Sequence, residues 1–96
     1  MTGWDLFIQL CLAARTPQDL TQLFELFLTD EEKQSFSARA LIIEALLGND
    51  LTQREIAKKL QVSIAKITRG SNMLKRMEPQ FLNQLKDHFA RKDFSI

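Results

Sequence analysis

The sequence predicts an all-α protein built from short helices, one pair of which forms a helix-turn-helix. Three observations carry that expectation. Helix start signals recur along the chain. Apolar residues between them return at three- and four-residue spacing, and no stretch alternates apolar with polar long enough to make a strand. The 96 residues are one domain's worth of chain, read as a single domain over 1–96.

Each element has its own justification. From Trp4 to about Arg15 the chain is nearly all apolar, with Trp4, Phe7, Ile8 and Cys11 on one side and Leu6, Leu10 and Ala13 on another. A helix apolar all round must be buried all round, and a domain this small has little material to surround it. Thr16-Pro17-Gln18-Asp19 opens the next helix, with Thr as N-cap and Pro at the first position. That helix carries Leu20, Leu23, Phe24, Phe27 and Leu28. Thr29-Asp30-Glu31-Glu32 repeats the pattern and starts a short acidic helix ending near Phe36. Ser37 then caps a helix through Leu41, Ile42, Ala45 and Leu46, stopped by Gly48-Asn49. Thr52-Gln53-Arg54-Glu55 is the cleanest capping box, and Pro79 opens a C-terminal helix over 79–96 with Phe81, Leu82, Leu85 and Phe89.

Charge divides the chain in two. The net charge is only +1, yet residues 1–50 hold three basic and eight acidic side chains, and residues 51–96 ten basic and four acidic. Between Leu51 and Met77 seven Lys and Arg meet only Glu55. Such a segment points to an anionic partner, nucleic acid above all, or to a solvated basic helix face.

The basic segment has the anatomy of a helix-turn-helix over 53–76. Ile56, Ala57 and Leu60 give the first helix an apolar face, and Ser63 caps a second helix through Ile64 and Ile67. Ala57 allows close approach, and Val62 and Ile67 fill the wedge. The second helix of such a unit enters a major groove about 12 Å wide. Gln53 and Arg54 stand at the first helix's N-terminus, where free N–H groups attract phosphate. Lys58, Lys59, Lys66, Arg69, Lys75 and Arg76 add cations for the phosphate backbone. Gln61 occupies the turn position where Gly is usual, and a left-handed backbone costs a non-Gly residue about 1 kcal/mol.

Several classes are excluded. The apolar runs are short and broken by charge, so no membrane partner is expected, and Met1-Thr2-Gly3-Trp4-Asp5 has no signal-peptide character. One Cys (Cys11) and one His (His88) cannot assemble a four-ligand zinc site, so no metal is expected. A reducing, cytoplasmic setting follows from that cysteine usage. No paired acid and base, activated nucleophile or phosphate loop is present, so an enzyme is not expected.

The run Leu51-Thr-Gln-Arg-Glu-Ile followed by Ile67-Thr-Arg-Gly-Ser-Asn72 resembles the tryptophan operon repressor family. The resemblance extends without gaps from Trp4 to about Lys75, through Leu26-Phe27-Leu28-Thr29 and Ser37-Ala38-Arg39. It implies an intertwined homodimer, with 4–47 as the dimerisation core, that represses genes of tryptophan biosynthesis or transport by binding double-stranded operator DNA. L-Tryptophan is the implied corepressor, with no other cofactor. Carried over by position, Arg39 and Arg69 would sandwich the indole, with Arg69 also facing the carboxylate. Gly70 would leave room for the ring, Ile43 would floor the pocket, and backbone carbonyls of Leu26 and Leu28, with Thr29, would come from the opposite subunit. Gln53, Arg54, Lys58, Lys59, Ile64, Ala65, Lys66 and Thr68 would meet DNA.

Plainer roles stand beside these. Without the resemblance Arg39 reads as a helix-surface arginine, Arg69 reads equally as a phosphate contact, and Leu26 and Leu28 are core or dimer contacts on either account. Met73 would overlie the pocket beside the ligand's α-carbon; there, and at Lys66 and Ala57, the sequence departs from the family's usual pattern, which bears on ligand and operator preference. A regulator of the same fold answering to another ligand, or to none, and a helical protein–protein adaptor are the alternatives.

Overall fold

In the computed structural model, residues 1–48 and 50–91 are described. They form six helices: α1 (Gly3–Ala13), α2 (Pro17–Phe27), α3 (Asp30–Gly48), α4 (Gln53–Leu60), α5 (Ile64–Lys75) and α6 (Pro79–Arg91). No strand occurs among the described residues, and the all-α expectation holds. No helix among them is long and apolar enough to cross a membrane. Residues 92–96 of the expected C-terminal helix lie outside the described residues, as does Asn49 of the stop signal.

The caps explain the boundaries. Thr16 accepts from the Asp19 N–H, with Pro17 opening α2, and Thr52 and Glu55 form the expected reciprocal box at the start of α4. At α1, Thr2 and Asp5 form a further reciprocal box that the sequence reading does not include. At α3 the Glu32 N–H donates to Thr29 Oγ1 (3.1 Å) while the Thr29 N–H donates to the Glu32 carboxylate (2.9 Å). The backbone and hydroxyl bonds that Asp5 and Glu32 accept hold both carboxyls below their ordinary pKa.

One boundary is corrected. The short acidic helix and the helix expected to start at Ser37 are a single helix, Asp30–Gly48. Ser is a common N-cap, but inside a helix it costs only a fraction of a kcal/mol, about 0.5 relative to Ala. A break there would strip backbone donors and acceptors on both sides of their partners. Continuity wins.

The chain divides into two compact units. The first runs to Lys33 and the second begins at Gln34. In the first, Phe7 gathers the aromatic residues: its ring centroid lies 5.8 Å from Trp4, 6.1 Å from Phe24 and 5.2 Å, edge-on, from Phe27. Lys33 pairs with Glu25, which raises the Lys33 pKa. Neither α1 nor α2 buries a residue completely.

The second unit holds the core: Ile42 from α3, Ile56 and Ala57 from α4 and Ile67 from α5, with Ala45, Leu46, Leu51, Leu60 and Val62 packed around them. Truncating a buried isoleucine to alanine costs about 2–5 kcal/mol, so Ile56 and Ile67 pin the helix pair firmly.

Between α4 and α5 the chain turns at Gln61, whose φ of 56° and ψ of 46° are left-handed. The Val62 N–H donates to the Ala57 carbonyl and the Gln61 N–H to the Lys58 carbonyl, at 3.1 and 3.3 Å. This is a Schellman closure with glutamine where glycine is usual. Gln61→Gly removes the Cβ strain, about 1 kcal/mol or more, and gives back about 0.4–1 kcal/mol in unfolded-state entropy. The expected result is a small rise in the thermal midpoint, and a fall would show that the glutamine side chain stabilises the turn.

Candidate functional site

The second unit contains a concave cleft of about 400 Å³ between one face of α3 and one face of α5. Ser35, Ala38, Arg39, Ile42 and Ile43 line it from α3, and Lys66, Arg69, Gly70 and Met73 from α5. Both sets follow the spacing of a single helical stripe, so two facing stripes make the walls. A volume of this size suits a small organic ligand.

Its chemistry is lopsided. Ala38, Ile42, Ile43 and Met73 supply apolar wall, while Arg39, Lys66 and Arg69 supply three cations and no lining residue is acidic. The Arg39 guanidinium carbon sits 5.8 Å from the centroid of the Phe36 ring, a cation–π contact one turn along the same helix. Such a cleft suits a flat apolar body bearing an anionic group.

Five of the residues expected at the ligand, Arg39, Ile43, Arg69, Gly70 and Met73, come together here. Gly70 is accounted for in part by packing. A Cβ built on it would stand 3.1 Å from Ile42 Cγ2 and 3.3 Å from Leu46 Cδ1, so its smallness first serves the close approach of α5 to α3. Leu26, Leu28 and Thr29 belong to the first unit, at the end of α2. Leu26 is exposed, Leu28 is the C-cap of α2, and the Thr29 hydroxyl is occupied as the cap of α3.

All eight residues expected at DNA are exposed. Gln53, Arg54, Lys58 and Lys59 project from α4, and Ile64, Ala65, Lys66 and Thr68 from α5. The Thr68 hydroxyl donates to Gln53 Oε1 at 3.3 Å, tying the start of α4 to the middle of α5. Ser35, Ala38 and Ile42 were missed as cleft residues, although they flank Arg39 at helical spacing. Among the described residues no group of three His, Cys, Asp or Glu could hold a metal. Cys11 is a free thiol.

The family profile of the Trp repressor protein matches residues 2–89. The chain belongs to that family. A Trp operon repressor homolog of Chlamydia caviae is 52% identical over 85 residues, covering 88% of this chain and 84% of its own. One from Chlamydia trachomatis serovar D is 51% identical over 80 residues, 83% of this chain and 85% of its own. One from Haemophilus influenzae is 36% identical over 85 residues, 88% and 84% of the two chains. The Trp repressor family consists of DNA-binding transcriptional regulators rather than enzymes. This chain is therefore a transcriptional repressor of that family.

Proposed function

We propose that this repressor acts as a homodimer on double-stranded operator DNA and is activated by L-tryptophan, controlling genes of tryptophan biosynthesis or transport. The observation that carries the proposal is the cleft: Arg39, Arg69 and an apolar wall meet in one concavity, and one side of it is the helix that presents Ile64, Ala65, Lys66 and Thr68. The relatives' names support the same reading. In it, Arg39 and Arg69 hold the indole between guanidinium planes, Arg69 takes the carboxylate, Ile43 and Met73 pack against the ring, and Gly70 keeps α5 close. The carbonyls of Leu26 and Leu28, with Thr29, come from the opposite subunit and accept from the ammonium.

The mechanism is a population shift. A ligand fixed between α3 and α5 selects the arrangement in which the two recognition helices of a dimer stand about 34 Å apart, one turn of DNA. Gln53, Arg54, Lys58 and Lys59 then hold phosphates while α5 reads the groove.

The test is a calorimetric titration with L-tryptophan, followed by operator titrations with and without it. Saturable tryptophan binding that tightens operator binding is the expected result. Operator binding indifferent to tryptophan would favour a regulator of the same fold with another ligand. Loss of sequence discrimination altogether would favour a protein–protein adaptor.

A further inference from the structure

Lys66 stands in two places at once. It is an exposed residue of the recognition helix, and it also lines the cleft. Within α5 it precedes Arg69 by one turn, so two cations on one helix face the same concavity, with Arg39 opposite. Like charges at that spacing repel. Lys66 is also the third residue of α5, where the positive end of the helix dipole further disfavours a cation, and the first turn of α5 holds no acidic residue. No carboxylate among the lining residues offsets any of the three cations. An anionic group held in the cleft removes all of these penalties together.

We propose that Lys66 is a ligand-binding residue, which shares the ligand's carboxylate with Arg69 and makes the site select for an aromatic ligand that carries one. Arg39 is thereby left to stack on the ring. The alternative source of a compensating anion is a DNA phosphate. The cleft favours the small ligand, because its walls are the apolar Ala38, Ile42, Ile43 and Met73, which suit a ring and have nothing to offer a sugar–phosphate backbone. The inference rests on the tryptophan reading above, and its test is chosen so that the two fail separately.

The probes are L-tryptophan and L-tryptophanamide, identical except that the second has no carboxylate. On the unmodified protein the acid is expected to bind much more tightly than the amide. Lys66→Gln is expected to weaken the acid about tenfold and the amide little, shrinking their ratio, with Lys66→Arg restoring most of it. A circular dichroism melt of each variant shows whether α5 is intact. A second readout is the salt dependence of binding to non-operator DNA. In the ligand-free protein each Lys66→Gln should lower the logarithmic salt slope by about 0.9, whereas with tryptophan bound, when the lysine is already paired, it should lower it by much less. If the acid binds but Lys66→Gln leaves the acid-to-amide ratio unchanged and lowers the slope equally with and without ligand, Lys66 serves DNA alone and the proposal is overturned. If neither probe binds the unmodified protein, the tryptophan reading falls first.

Discussion

Arg39→Ala is expected to weaken L-tryptophan binding by roughly tenfold to thirtyfold, while ligand-free binding to non-operator DNA stays as it is. A desolvated cation–π contact is worth about 2 kcal/mol, and about 1.4 kcal/mol is a factor of ten. The Arg39 guanidinium carbon lies 5.8 Å from the Phe36 ring centroid, a cation–π contact that helps to hold the side chain at the cleft. Arg39 belongs to α3 and not to the helix pair that carries the DNA candidates, which is why DNA binding should be spared. Arg69 is on α5 and is expected to behave differently. Arg69→Ala removes a stack and a charge-assisted hydrogen bond, the latter alone worth about 1.5–3 kcal/mol, and takes a cation from the DNA-facing helix. Both tryptophan and DNA binding should fall. Arg39→Lys should recover little, since an ammonium on a flexible stem cannot present a plane to an indole. The measurement is a calorimetric isotherm beside a DNA titration for each variant. An unchanged isotherm for Arg39→Ala would overturn the proposed pocket at its most distinctive point.

The position of α5 gives the proposed gating a physical route. One face of this helix walls the cleft with Lys66, Arg69, Gly70 and Met73, and Ile67 between them is fully buried in the core. In the proposed mechanism, a ligand that fills the cleft would therefore act on α5 directly, with no relay through other elements. Linkage makes the effect reciprocal: whatever factor tryptophan adds to operator affinity, operator must add to tryptophan affinity. Gly70 keeps α5 close to α3, since a Cβ there would stand 3.1 Å from Ile42 and 3.3 Å from Leu46.

How much of this was legible in the sequence depends on the range of the interaction concerned. Caps are local, and Thr16, Thr52 and Ser63 were readable because each bonds a backbone N–H three residues away. The turn at Gln61 was readable as a position needing a left-handed residue, and it is one. Ser37 failed for the same local reason, since its residue type fits a cap and an exposed interior position equally well. The cleft was legible only in part. Arg39, Ile43, Arg69, Gly70 and Met73 came from the family resemblance, whereas Ser35, Ala38 and Ile42 join them only once α3 is known to face α5. The charge of Lys66 makes it a DNA candidate from sequence, whereas its place in the cleft shows only in the fold. Gly70 was read as room for a ring, but the nearest atoms to its missing Cβ are those of a helix 3.1 Å away.

Dilution should destabilise this protein. The first unit exposes a set of large apolar side chains that one chain leaves in water: Trp4 is 69% exposed, Leu12 81% and Leu26 78%. Full burial of such a side chain is worth about 1.5–3 kcal/mol, so several together supply a strong drive to associate. If two chains fold by covering these residues for one another, folding and association are one process. A hundredfold dilution then removes about 2.7 kcal/mol from the dimer, which for a pair of chains this size lowers the thermal midpoint by roughly 5–10 °C. Leu12→Gln provides an independent arm. On a true surface this change stays within about 0.5 kcal/mol, whereas at a dimer contact it forfeits the burial of a leucine and should also steepen the loss on dilution. The measurement is thermal unfolding of both proteins over that concentration range, with sedimentation equilibrium at its ends. A midpoint that does not move with concentration, together with an innocuous Leu12→Gln, would mean that the exposed face of α1 is a surface of the monomer and that the dimeric reading is wrong.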